Sequence, residues 1–224
     1  MSCPAQAPSS WPEAPETIPP GTFPGGESVW FPAEAESGDG IWRHSRRVAD
    51  YTLLLARALV IQEKEFLQSL EQGALFHDIG KIGLPPCILL KREALSGQER
   101  KAVQEHPLRG FEMISQVAFW PEAWRVVLFH HERYDGRGYP FGLAKGAIPL
   151  SAKILAVADA LEAMTSDRPY RPGRSFQAAA REICRCRGAQ FDPEIVEAFL
   201  TVPLHSWLRI WQEVVTALRP ADSC

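Results

Sequence analysis

The sequence predicts an all-α body behind a proline-rich, acidic leader. Three observations carry this. Apolar residues recur at helical spacing through most of residues 41–218. No convincing run of alternating β-branched residues interrupts them. Residues 1–40 hold eight of the 19 prolines, six acids and no lysine or arginine, a composition that favours extended, solvated chain.

Taken in order, the leader spans 1–38 and contains Trp11, Phe23, Trp30 and Phe31. A solvated leader is the expectation on composition. Residues 41–60 predict the first helix, with Val48, Tyr51, Leu55 and Leu59 on one stripe. Residues 63–78 predict a second, with Phe66, Leu67, Leu70 and Ala74 aligned. Ser96 and Glu99 form a capping box that opens a helix running to Glu105. Pro107 restarts a helix near His106, because proline is tolerated only in a first turn. Helices follow at 121–131 and 150–165, the latter with Ile154, Leu155, Ala158 and Leu161 in register. Ser175 and Asp192–Pro193 cap two more, and an amphipathic helix covers 204–218. Gly/Pro-rich segments at 80–86 and 135–149 read as loops.

At roughly 150 residues per domain, 224 residues make one domain with an extension, or two small ones. The formal charge of −3 hides a split. The leader carries −6, and residues 41–224 carry 24 basic against 21 acidic side chains, a body charge of +3. The longest apolar stretch, 53–61, is broken by Arg57 and is too short to span a bilayer, so no membrane insertion is expected. The N-terminus lacks the basic start and apolar run of a secretory signal. Five scattered cysteines suit a reducing cytoplasm rather than a disulfide framework.

Function is legible in the histidines and aspartates. His77–Asp78 ends an apolar helix, His130–His131 follows Val126–Phe129, and Asp159 lies inside the apolar 154–163. A single buried histidine is ordinarily a satisfied core group. Several of them beside aspartates, without matching arginines, are costly to bury unless cations satisfy them. Imidazole and carboxylate donors suit Fe, Mn, Zn or Ni, and clustered thiolates are absent. Two such ions clamp a phosphoryl group and activate water. Lys81, one turn after His77, is placed to hold a phosphate oxygen or the attacking hydroxide.

These residues reach a family. His77–Asp78–Ile79–Gly80–Lys81, His130–His131–Glu132 and Asp135–Gly136–Arg137–Gly138–Tyr139–Pro140 closely resemble the HD-GYP family, a branch of the HD-domain metal-dependent phosphohydrolases. The likeness continues through HSRRV (44–48), EHPLRG (105–110), ADALEAMTSDRPYR (158–171) and QFDPEIVEAFL (190–200). It covers nearly all of 41–200, in order, and places one HD-GYP domain over 39–224 as an HD-type helical bundle. The resemblance implies a bacterial phosphodiesterase that hydrolyses cyclic-di-GMP to linear pGpG, and on to GMP after a second cut, through a hydroxide activated by two divalent transition metals. Fe or Mn is expected first, then Ni or Zn. Cyclic GMP-AMP is a substrate of a minority of the family.

Carried over residue by residue, His44, His77, Asp78 and Asp159 would hold one metal. Asp78, His106, His130 and His131 would hold the other, with Asp78 bridging as a catalytic residue. Lys81 would assist the hydroxide or the phosphate. Arg168 and Arg171 would grip phosphate oxygens, as the guanidinium fork suits. Tyr139 would line the substrate mouth or an interaction surface. Two departures stand out. Gly40 occupies the position where three-metal members carry Glu, which predicts a two-metal site. Glu162 replaces the usual Asp, and its extra methylene is expected to shift a hydrogen bond behind the ligands and lower the rate.

Two other function classes follow from the same residues. One is a signalling module that binds dinucleotide, or GGDEF-domain proteins through the GYP loop, with weak catalysis. The other is a phosphohydrolase for nucleotide monophosphates, against which the intact GYP segment argues. DNA binding is not expected, because the basic run Arg181, Arg185, Arg187 has no interleaved aromatics. Cys184 and Cys186 make a lone CxC and read as ordinary helix residues. His205 lies outside every motif and is expected to bind no metal.

Overall fold

A computed structural model describes residues 38–91, 93–115, 121–167 and 172–217. The leader expected over 1–38 lies outside these apart from Gly38, as do Arg168 and Arg171. Ten α-helices are present among the described residues, with no strand. They are α1 Gly38–Ala58, α2 Lys64–Phe76, α3 Pro86–Leu89, α4 Gly97–Gln104, α5 His106–Ile114, α6 Pro121–Phe129, α7 Leu150–Thr165, α8 Phe176–Arg185, α9 Pro193–Thr201 and α10 Leu204–Ala217.

The caps read from sequence form. Ser96 Oγ accepts the Glu99 amide at 3.3 Å, while the Ser96 amide donates to Glu99 Oε2 at 2.7 Å. Ser175 Oγ accepts from Ala178, and Asp192 accepts from Glu194 with Pro193 opening the helix.

The bundle is organised around α1, which packs against α2, α7, α9 and α10. The predicted stripes supply the main core. Val48, Tyr51 and Leu55 of α1 meet Leu70 and Ala74 of α2, Ile154, Leu155 and Leu161 of α7, and Trp207 of α10. Tyr51 meets the Trp207 ring edge-on at 5.3 Å. Leu59, Phe66 and Leu67 pack at the margin, half buried. A second, smaller core lies along α6, where Trp124, Val127, Leu128 and Phe129 pack with Ile114, Ile148 and Ala152. The candidate site lies between these two cores, at the ends of α2 and α6. No helix of the described residues is long and apolar enough to cross a membrane.

Several boundaries differ from expectation: α1 begins at Gly38 rather than 41, α2 ends at Phe76 rather than 78, and α6 ends at Phe129 rather than 131. The segment 80–86, expected as a loop, holds most of a 3-10 turn over Ile79–Gly83 and the first residue of α3. The Lys81 and Leu84 amides donate back to Asp78 and Lys81 carbonyls, closing the short turns that Gly and Pro permit. The 135–149 loop likewise contains a single turn at Lys145–Ala147. Helix α1 ends at Ala58 instead of 60, and Val60 sits at φ 60 in the left-handed region. A glycine there would have signalled the stop; a β-branched residue gives no such warning.

Candidate metal centre

Three histidines occupy the same local position. His77, His106 and His130 each stand one or two residues past the end of a helix: α2, α4 and α6. The last carbonyls of a helix lack amide partners. Each imidazole supplies one, donating Nδ1–H to the carbonyl three residues earlier: Ala74 at 2.8 Å, Val103 at 2.7 Å and Val127 at 2.9 Å. All three rings are buried. With Nδ1 committed to a carbonyl, each ring turns its Nε2 toward the site.

Those nitrogens converge. His106 Nε2 lies 3.1 Å from His130 Nε2, and His44 Nε2 lies 3.4 Å from His77 Nε2. Each pair brings two ring nitrogens together, a concentration of donor atoms that a cation satisfies. Two groups of such donors exist among the described residues. In the first, His44, His77 and Asp159 have ligand atoms within 4.8 Å of one another. In the second, Asp78, His106, His130 and His131 do.

Asp78 faces both. Its Oδ1 lies 3.3 Å from His106 Nε2 and 3.9 Å from His130 Nε2. Its Oδ2 lies 3.5 Å from His77 Nε2 and 3.9 Å from His44 Nε2. The adjacency of Asp78 to the second group depends on Gly80. A Cβ at Gly80 would stand 2.0 Å from the His106 carbonyl oxygen and 2.5 Å from the Gly110 amide, so only glycine lets this turn press against α5.

The electrostatics fit cation binding. Burial raises the Asp78 pKa, but Lys81, His77 and His106 overcome this and hold it well below the usual carboxylate range. Burial pulls His77 down, with neighbouring carboxylates offsetting only part. Burial and the adjacent histidines push His130 well down, and burial brings His131 to about 4. Unprotonated imidazoles and an ionised carboxylate are the forms that bind metal. The absence of thiolate and the mixed N/O donor set suit a divalent transition metal.

His44 differs from the other three. Its Nδ1 donates to Glu162 Oε2 at 2.5 Å. Burial lowers its pKa, yet the Glu162 hydrogen bond with the Asp159, Glu162 and Asp78 charges leaves it raised. Glu162 is almost fully buried, and Arg47 reaches its Oε1 at 3.0 Å while Ser166 donates to the same oxygen at 2.6 Å. Burial works against ionisation of Glu162, but these partners bring its pKa to about 2. The Glu162 side chain, one methylene longer than Asp, reaches His44 directly.

Other sequence expectations resolve as follows. Lys81 Nζ lies 2.6 Å from Asp78 Oδ2, so its first partner in the structure is the shared carboxylate. The Tyr139 ring stacks on His131 at 4.6 Å and 24°. Gly40 lies in α1, and no third donor group occurs among the described residues. His205 is exposed on α10 and Cys184 is exposed on α8; neither belongs to a donor group. Arg47 and Glu132 carry no separate signal in the sequence, since the partners of both are set by tertiary folding.

Comparison with known proteins follows the same lines. The family model described as HD domain matches residues 35–195. The chain is 41% identical over 156 residues to "Cyclic di-GMP phosphodiesterase response regulator RpfG" of Xanthomonas campestris pv. campestris, covering 69% of this chain and 41% of that protein. It is 36% identical over 155 residues to "3'3'-cGAMP-specific phosphodiesterase 3" of Vibrio cholerae, covering 69% of this chain and 34% of that one. The chain therefore spans about two-fifths or less of these relatives. Among solved structures, Bd1817, an HDG"Y"P protein from Bdellovibrio bacteriovorus, superposes with a TM-score of 0.57 at 20% identity, over 80% of this chain and 54% of that one. That likeness concerns the fold.

Proposed function

The chain belongs to the HD domain family, and we propose that it is a metal-dependent cyclic dinucleotide phosphodiesterase that hydrolyses cyclic-di-GMP to linear pGpG. The observation that carries the reading is the pair of donor groups that share Asp78. In this reading His44, His77 and Asp159 would hold one divalent cation, His106, His130 and His131 would hold the other, and Asp78, which faces both groups, would serve both. Bound there, two cations lower the pKa of water and neutralise charge on a phosphodiester.

The chain's own residues then have defined work. The Nδ1 bonds to carbonyls and to Glu162 fix ring orientation and tautomer. Lys81 is partly exposed beside Asp78 and offers its remaining N–H donors to a phosphate oxygen. Tyr139, stacked on His131, bounds the second donor group and limits how a bulky substrate lies against it. Arg168 and Arg171 are proposed to bind phosphate on motif grounds alone. Fe or Mn is the proposed metal, the cytoplasm the proposed compartment, and GGDEF-domain proteins the proposed partners of the GYP loop.

The test is incubation of Mn- or Fe-loaded chain with cyclic-di-GMP and, separately, cyclic GMP-AMP, with products followed by chromatography. Release of pGpG supports the reading. Hydrolysis of cyclic GMP-AMP alone reassigns the substrate, as the relative named for that dinucleotide makes chemically reasonable. No turnover of either with Fe, Mn, Ni or Zn overturns it.

A further inference from the structure

Glu132 is a buried carboxylate that neither donor group uses. It is 4% exposed, follows His131 directly, and is absent from both sets of converging ligand atoms. A carboxylate in such a place must be satisfied by hydrogen bonds. Its partners are main-chain amides of one loop. Oε1 accepts from the Phe141 amide at 2.8 Å, and Oε2 accepts from the Leu143 amide at 2.8 Å. Both oxygens are thus occupied by backbone nine and eleven residues later.

The rest of this loop is tied to the same stretch. The Tyr139 amide donates to the His131 carbonyl at 3.2 Å, and the Lys145 amide donates to the Tyr134 carbonyl at 3.1 Å. Gly138 lies so close that a Cβ there would stand 2.4 Å from the Arg133 amide nitrogen and 2.5 Å from Glu132 Cα. The loop is folded over residues 131–133 with the Glu132 carboxylate inside it. The side chain this presents is Tyr139, whose ring lies parallel over His131 and 6.5 Å edge-on from His106.

We propose that Glu132 is a positioning residue for Tyr139: by holding the Phe141 and Leu143 amides it keeps the Tyr139 ring over His131, where it orients a bound cyclic dinucleotide. The assignment of a dinucleotide rests on the phosphodiesterase reading; the anchoring does not. One carboxylate spans two main-chain amides of the loop, so the loop is pinned rather than merely packed. Substrate-positioning errors of about 1 Å cost on the order of 100-fold in rate, which is the scale on which such an anchor acts.

The experiment compares full-length wild type with Glu132→Gln, Glu132→Ala, Tyr139→Ala and the Glu132→Ala/Tyr139→Ala double variant. Amide hydrogen exchange of Phe141 and Leu143 is read first, without substrate. The Glu132 variants are expected to speed exchange at these two amides while both cations per chain are retained. kcat/KM for cyclic-di-GMP is expected to fall roughly 10- to 100-fold in Glu132→Ala, with Glu132→Gln intermediate because its amide keeps a single acceptor oxygen. The double variant is expected to be no worse than Tyr139→Ala. Unchanged exchange in Glu132→Ala would overturn the proposal, and so would effects of the two substitutions that simply multiply. If the alanine variant does not fold, the glutamine variant carries the same two readouts. A wild-type chain that hydrolyses no dinucleotide sinks the phosphodiesterase reading, and the exchange result is then judged separately.

Discussion

The two donor groups are built by different means. The second group, His106, His130 and His131 with Asp78, is orientated by local main chain: two of its rings bond carbonyls three residues earlier. The first group, His44, His77 and Asp159, draws on α1, the end of α2 and α7. Its His44 is orientated by Glu162, 118 residues away, which Arg47 and Ser166 hold in turn. The orientated rings of the second group are therefore set by helix ends, whereas the first group combines a helix end at His77 with a buried ion pair behind His44. The lesson is that two adjacent sites in one fold respond to different perturbations, and their shared Asp78 is where they become one centre.

The comparison breaks most severely at Asp78. Asp78→Ala is expected to remove both cations and all measurable turnover, checked by elemental analysis and product chromatography. Loss of one cation alone would show that the carboxylate belongs to a single group. Gly80→Ala comes next. Its Cβ meets the His106 carbonyl at 2.0 Å, so the turn must move from α5, at a cost of about 1–3 kcal/mol. Thermal unfolding measures that cost, and the second cation is expected to bind more weakly than the first.

Glu162→Gln sharpens the contrast. Altering the partner behind a metal-binding imidazole weakens metal affinity by about 10- to 100-fold. That loss is expected in the first group alone, since His106 and His130 of the second group bond main-chain carbonyls instead. Calorimetric metal titration distinguishes the two affinities; equal weakening of both would dissolve the distinction drawn above. The smallest effect is His205→Ala. This exposed residue belongs to neither group, and metal content is expected to stay unchanged.

Much of this was legible before any coordinates. The stripes through Val48, Tyr51 and Leu55, and through Ile154, Leu155 and Leu161, pack where helical spacing puts them. The seven histidines and aspartates singled out as donors all fall into the two groups. What periodicity did not disclose depends on long-range or main-chain partners. Arg47 and Glu162 meet only when α1 docks on α7. Glu132 looks like one more acid beside two histidines until its amide partners at 141 and 143 fold back over it. Lys81 reads as a phosphate ligand, and folding gives it Asp78 as a first partner. The 3-10 turn at Ile79–Gly83 carries the same Gly and Lys that a loop would.

The central claim is that one carboxylate joins two donor groups into a single dinuclear centre. Electron paramagnetic resonance of the Mn(II)-loaded chain, with metal counted on the same sample, tests it without reference to any substrate. Two ions per chain with a spectrum of exchange-coupled Mn(II) are predicted. One ion per chain, or two ions with the spectrum of isolated Mn(II), would contradict it.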